Sequence, residues 1–221
     1  MLQKGASSYS VLEGDDPAVY PLKPIYEESS VDLSFVDFFE LFEPTHTASH
    51  RLAVPDCSND TILCWETMEH FNFNPVKFVR ELHRVLKPSG RVCITVPNRG
   101  SFQAICTLLF GRNEEALVNS YFTYEDYESN GKKAFYGFHW REYTTREMAA
   151  LFRQGGFEVR VCKTISVFQD HGHLSISRRL ARVLSQLGTT ILNRFGTTVF
   201  LDATRVPNHS RGMPRSNLTK G

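Results

Sequence analysis

The 221-residue sequence contains no CxxC pair: its five cysteines, Cys57, Cys64, Cys93, Cys106 and Cys162, are scattered and odd in number. That pattern argues against a disulfide scaffold or a cysteine zinc site and predicts reduced thiols in a cytoplasmic protein. No GxGxxG follows a strand-like run, which removes the usual basis for a nicotinamide-binding enzyme. No apolar stretch approaches the roughly 18 residues of a transmembrane segment, and no secretory signal is evident. The three Asn-x-Ser/Thr triplets at Asn59, Asn208 and Asn217 are therefore expected to carry no sugar. Excess charge is also missing. Lys and Arg number 25 against 24 Asp and Glu, a net charge of +1, so no global field points to nucleic acid and no basic stripe supports a nucleic-acid partner.

Apolar residues make up 41% of the chain and charged residues 22%, the balance of a globular protein able to bury a proper core. One domain over residues 1–206 is expected, followed by a polar, disordered tail over 207–221. The chain is organised around Asp60 to Pro97, DTILCWETMEHFNFNPVKFVRELHRVLKPSGRVCITVP. A strand runs into Cys64-Trp65-Glu66, a polar turn interrupts, an amphipathic helix begins at Asn74-Pro75 and runs to Lys87, and a Pro-Ser-Gly turn launches a second strand at Arg91. A crossover of that length joins parallel strands, and ligands in parallel α/β sheets gather at the strands' carboxyl ends.

Before this unit, Ser7 to Glu13 reads as a strand closed by Gly14-Asp15-Asp16-Pro17, while VDLSFVDFFELF fits strand or helix equally. In the central helix, Phe78, Val79, Leu82, Val85 and Leu86 define the core face. Lys77, Arg80, Glu81, Arg84 and Lys87 fall on the other. The segment Asn98 to Phe138 is a long, aromatic-rich insertion, either a lid over a cleft or a small core of its own. A helix capped near Tyr143-Thr144-Thr145 ends at Gly155-Gly156, a strand spans Phe157 to Val167, and a last strand spans Thr197 to Val206. Between those two strands Leu174 to Phe195 is an amphipathic helix with Arg178, Arg179 and Arg182 off its apolar face. It packs on the core or, as the alternative, offers a peripheral membrane contact.

Three stretches match one family in order and spacing: LAVPDCSNDTILCWETMEHF, then RELHRVLKPSGRVCITVPN, then HWREYTTREMAALFRQGGFEV. Over roughly residues 50 to 165 the chain resembles the second half of a class I S-adenosylmethionine-dependent methyltransferase, of the group that modifies small molecules, lipids and sugars. The resemblance implies an α/β, Rossmann-like three-layer sandwich with a mostly parallel sheet and an antiparallel C-terminal hairpin. The family's first strand ends in a glycine-rich turn, since only glycine permits the backbone to lie against the cofactor. Gly14 stands alone here, so Ser7 to Glu13 aligns better with the family's second strand, and a chain truncated at its N-terminus is expected.

By the same resemblance, the cofactor is S-adenosylmethionine and the acceptor a small molecule, lipid or glycan. Glu13, with Asp15 as second choice, would accept hydrogen bonds from the ribose hydroxyls, a task suited to a carboxylate with two acceptor oxygens. Asp32 and Asp37 would face the adenine edge. Trp65 and Glu66 would border cofactor and substrate, unless Trp65 simply packs under the next helix. His139 or His70 could take a proton from an acceptor hydroxyl, because histidine titrates near neutrality. A structural hydrogen-bonding role for His70 is the alternative. His171 and His173 flank a glycine with no third ligand in sequence, so no metal site is expected. The competing functional reading is an inactive methyltransferase-like scaffold, motivated by the missing glycines.

Overall fold

The computed structural model describes residues 10–14, 24, 32–36, 38–42, 51–110, 119, 121–125, 137–166 and 195–207. Asp15, Asp37, His171, His173, most of the expected 174–195 helix and the tail beyond 207 lie outside the described residues. The chain divides into two compact units. One comprises Met1–Leu52, His70–Asn74 and Asn113–Trp140, the other Ala53–Glu69, Pro75–Arg112 and Arg141–Gly221.

In the first unit, strand β1 (Ser10–Gly14) pairs in parallel with strand β2 (Asp32–Val36), Ser10 opposite Asp32 and Glu13 opposite Phe35. A short helix, α1 (Phe38–Phe42), follows. The ambiguous VDLSFVDFFELF is thus both of its alternatives in turn, a strand and then a helical turn. Aromatic rings hold this unit. Phe42 stacks on Phe73 at 4.7 Å, Phe73 on Phe71 at 4.4 Å, and Phe71 meets Phe38 at 5.7 Å, with Phe38, Phe42 and Phe71 buried. Such offset contacts add about 0.5–1.5 kcal/mol each beyond the area they bury.

The second unit contains β3 (Asn59–Trp65), α2 (Pro75–Val85), β4 (Leu86–Pro97), α3 (Phe102–Phe110), α4 (Thr145–Gln154), β5 (Phe157–Ile165) and β6 (Thr198–Arg205). Its sheet runs β3-β4-β6-β5; β3 is parallel to β4, and β6 is antiparallel to both β4 and β5. The expected parallel unit and the antiparallel closing hairpin are both present. Val92, Ile94, Val96, Val199, Leu201 and Ala203 on the two central strands are fully buried.

Helix α2 begins at Pro75, where the missing N–H loses no helical bond, and buries Phe78, Val79, Leu82 and Val85 as its periodicity predicts. Two expectations are corrected here. Glu81 is buried rather than solvated: Arg84 donates to its carboxylate from Nε at 3.0 Å and Nη2 at 2.7 Å, and also reaches Val54 O at 2.8 Å and Asp56 at 2.6 Å. A bidentate guanidinium makes that burial tolerable. The helix also stops at Val85, two residues before Lys87, because β4 begins at Leu86, opposite Asn59, and pairing resumes with Arg91 opposite Thr61 after an irregularity. Within that irregularity Ser89 takes a φ of 63°, and a Cβ on Gly90 would lie 2.8 Å from Lys87 O. The Lys-Pro-Ser-Gly stretch is a kink inside the strand.

Helix α4 starts with a reciprocal cap: Glu147 N donates to Thr144 Oγ1, and Thr144 N donates to the Glu147 carboxylate at 2.9 Å. At its other end Gly155 has an ordinary φ of −77°, so its glycine is not required by the backbone. It is required by space, since a Cβ there would sit 2.3 Å from Val79 Cγ1.

Two buried carboxylates are handled in opposite ways. Asp202 on β6 accepts from Arg91 Nε at 2.7 Å and Nη2 at 2.8 Å, and this hydrogen-bonded partner holds its pKa below the ordinary carboxylate value. Glu69, in the 3-10 turn after β3, is pushed up to about 8, chiefly by burial and further by the charges of Glu66 and Glu142.

Two outcomes are expected. Gly155→Ala destabilises the fold by about 1–3 kcal/mol through overpacking, and adding Val79→Ala recovers part of that loss; strictly additive urea-unfolding energies would refute the contact. For Glu69, the folded carboxyl keeps its proton up to about pH 8 while the unfolded one releases it near 4.5. Its contribution is thus complete below pH 4.5 and lost as pH rises through 8. Glu69→Gln flattens that fall, so the variant melts above the wild type at pH 8; parallel Tm–pH curves would contradict the shift.

Candidate functional site

The carboxyl ends of β3 and β4 lie side by side, because the two strands are parallel and paired through Trp65 opposite Thr95. Trp65 is half exposed. Glu66, next in the chain, adopts a φ of 45°, a left-handed conformation that a non-glycine residue holds only when its surroundings enforce it. The enforcement is visible. Glu66 N donates to Thr95 O at 3.0 Å and lies 3.3 Å from Thr95 Oγ1, while Thr67 Oγ1 donates to Trp65 O at 2.8 Å. The strand therefore ends in a sharp, pinned corner that presents the exposed Trp65 and Glu66 side chains.

The neighbouring corner after β4 is pinned more heavily. Asn98 is buried; its Nδ2 donates to Gly196 O at 2.7 Å, its Oδ1 accepts from Gly100 N at 2.9 Å, and its own N–H donates to Thr197 O at 2.8 Å. Arg99 N donates to Tyr143 O at 3.1 Å, joining this corner to the segment that leads into α4. Tyr143 is buried, its hydroxyl pushed up to about 12 mainly by that burial, with Arg141 stacked over its ring at 5.3 Å. Sequence reasoning gave no site role to Thr95, Asn98 or Tyr143. The signal it could have used is the Val-Pro-Asn ending of β4, where a polar residue with donor and acceptor follows a buried strand.

In the first unit, Glu13 lies toward the carboxyl end of β1, the end where a ribose-binding acid belongs. Asp32 lies at the opposite end, opposite Ser10, so the pairing does not bring it beside Glu13. His70 and His139 are brought together: their rings meet edge to face at 4.8 Å, and His70 Nδ1 lies 3.1 Å from Phe138 O. His139 is exposed and His70 half buried. Burial, and then the neighbouring His139, lower the His70 pKa against the opposing pull of the Phe138 carbonyl. A neutral ring that donates Nδ1–H to that carbonyl keeps a lone pair on Nε2. Around the pair, Phe138 contacts Tyr121 at 5.3 Å and Trp140 at 4.6 Å. Tyr121, Phe122 and Trp140 remain exposed. Among the described residues, no helix is long and apolar enough to cross a membrane.

Comparison with known proteins adds an independent line. A chain from Mycolicibacterium smegmatis, named as a probable S-adenosylmethionine-dependent methyltransferase, is 27% identical over 129 residues. That match covers 58% of this chain and 39% of the relative, so this chain spans about two fifths of its length. Among solved structures, the complex between the Haloferax volcanii Trm112 methyltransferase activator and its methyltransferase partner contains a chain that superposes with a TM-score of 0.57 at 16% identity, covering 94% of this chain and 75% of that one. The cyclase SpnF superposes at 0.53 with 15% identity, covering 92% and 67%. At such identities the likeness shows the fold alone, which is the expected Rossmann-like α/β plan. A family model described as a methyltransferase domain matches residues 15–161. With two thirds of its length under that model and the strand-end corners where the fold places ligands, the chain belongs to the class I S-adenosylmethionine-dependent methyltransferase family.

Proposed function

We propose that this chain contributes to S-adenosylmethionine-dependent methyl transfer onto a small-molecule, lipid or glycan acceptor. The observation that carries the reading is the family match over residues 15–161, combined with the pinned corner that exposes Trp65 and Glu66 at the end of β3. In this reading Trp65 supplies an aromatic face and Glu66 a carboxylate to the bound cofactor, and Glu13 accepts from its ribose hydroxyls. Asp15 is the secondary candidate for that contact, and Asp32 is proposed to face the adenine edge. The sulfonium supplies an activated methyl group, so the protein's share is alignment and, for a hydroxyl acceptor, removal of a proton.

His139 and His70 are the proposed proton acceptors. His139 is exposed to an incoming hydroxyl, and His70 is held neutral at pH 7 by burial and its neighbour. The exposed rings of Tyr121, Phe122 and Trp140 support an acceptor with an apolar or pyranose face, which stacks on aromatic side chains. The expected 174–195 helix would add a peripheral membrane contact for a lipid acceptor.

Two measurements test this. Titration calorimetry of the folded chain with S-adenosylmethionine or its demethylated product gives saturable heat, and Trp65→Ala weakens binding by about tenfold, equivalent to about 1.4 kcal/mol. Silence at high micromolar ligand would remove the enzyme reading for this chain and favour the scaffold. With an acceptor in hand, kcat/KM falls as pH drops below the ordinary histidine range, because protonated His70 cannot accept. His70→Asn then lowers kcat by about a hundredfold and removes that limb. A profile unchanged in His70→Asn would exclude the histidine as base.

A further inference from the structure

Arginines in this chain mostly have partners where the structure describes them. Arg84 is tied to Glu81 and Asp56, Arg91 to Asp202, and Arg141 to Glu147. Three others gather without a carboxylate: Arg146 and Arg153 on α4 and Arg160 on β5 line one depression of about 380 Å³ with Thr145, Ala149, Val159 and Cys162. Arg146, Ala149 and Arg153 lie at helical spacing on one stripe of α4, so the two guanidinium groups rise from the same face with a small residue between them. Arg160 closes the group from the strand, and all three arginines are exposed at the rim.

Three like charges around one concavity repel one another unless an anion sits among them. No side chain of the depression supplies that anion. Cys162 is the remaining titratable lining residue, and its thiol donates to Thr145 O at 3.2 Å. Burial holds it protonated, up to about 11, despite the neighbouring Arg153. Asp202 feels the charge of Arg160 but is already gripped bidentately by Arg91. Glu158, exposed on β5, is not among the lining residues.

The location also separates this depression from Trp65 and Glu66. In the sheet order β3-β4-β6-β5, Trp65 is on one edge strand and Arg160 on the other. At about 4.8 Å per strand step, the two lie on the order of 14 Å apart across the sheet. The depression thus has no part in the roles given above to Trp65 and Glu66.

We propose that Arg146, Arg153 and Arg160 form a second binding site, for a phosphate group carrying two negative charges. Guanidinium forks match the spacing of phosphate oxygens and bind them bidentately, and three forks from a helix and a strand can surround one group. Thr145, which also lines the depression, adds a hydroxyl to its wall. The volume accommodates a small phosphorylated molecule or the headgroup of an acidic lipid, and the two sources share this chemistry.

The test uses the full chain with pyrophosphate as the free probe, and phosphatidylcholine vesicles with and without phosphatidic acid as the lipid probe. Pyrophosphate is expected to bind with one-to-one stoichiometry by calorimetry, to weaken as salt rises, and to bind at least about tenfold less tightly to Arg153→Gln and Arg160→Gln. Arg153→Lys, which keeps the charge but loses the fork, is expected to fall between. If vesicle binding requires phosphatidic acid and the same arginines, the phosphate belongs to a lipid headgroup. Binding of pyrophosphate alone assigns it to a soluble ligand. The substitutions are at exposed positions, and unchanged circular dichroism checks the fold. Equal binding by wild type and both Gln variants, or no binding of either probe, overturns the proposal. Because none of these readouts involves methyl transfer, a failure here leaves the reading of the β3 corner standing, and the reverse holds too.

Discussion

The larger unit depends on one strand, β4. It pairs in parallel with β3 and antiparallel with β6, so every ordering of the sheet passes through it. Val92, Ile94 and Val96 have no exposed surface, and each is worth roughly 1.5–3 kcal/mol on burial. The same pairing register sets the chemistry: it places Thr95 opposite Trp65, and the Thr95 carbonyl accepts the Glu66 N–H that fixes the left-handed corner. One residue of slip would turn β4's buried face to the other side and move Thr95 away from that N–H. The kink at Ser89-Gly90 prevents the slip, since Gly90 packs against Lys87 O and Asp60 O where no other residue fits.

What the sequence made legible was governed by short-range periodicity and turn chemistry. The α2 core face, the α4 cap and stop, and the three strands β3, β5 and β6 follow from residues within a few positions of one another. What it hid depended on partners far away in sequence. Glu81 belongs to the polar face by spacing and is buried because Arg84 also reaches back to Val54 and Asp56. Helix α2 looks able to continue to Lys87, but the strand's need to pair Leu86 with Asn59 ends it earlier. For the site, the strand-end rule pointed to Trp65 and Glu66, and the family pattern pointed to the two histidines. Neither could show that Glu66 is held at positive φ, or that His70 and His139 meet edge to face.

Fold and chemistry separate at this point. A cyclase and a methyltransferase both superpose on this chain at similar scores, so the layered α/β plan by itself leaves the reaction open. The narrower inference rests on local constraints that the plan does not require. A strained corner at Glu66 is maintained by two atoms of Thr95, and backbone strain of this kind, of order 1–3 kcal/mol, persists where the surrounding structure over-determines it. The Trp65 side chain beside it is left half exposed although an apolar surface of that size favours burial. Both features oppose stability and both occur at the end of the same strand, which is the place a ligand would use them.

The handling of charge follows the same division of labour. Where a carboxylate serves the scaffold it is matched: Asp202 with Arg91 across β4 and β6, Glu81 with Arg84 along α2. Two charged groups among the described residues lie instead at positions open to an incoming molecule. Glu66 stands exposed at the strand end beside the buried Glu69, whose pKa its charge helps to raise. The three arginines of α4 and β5 stand exposed at the opposite edge of the sheet. In a chain whose charges sum to +1, such local imbalance is not forced by composition. The sheet holds the two groups on separate strands, so the two proposed ligands, an anion at the arginines and the cofactor at the Glu66 corner, need not compete.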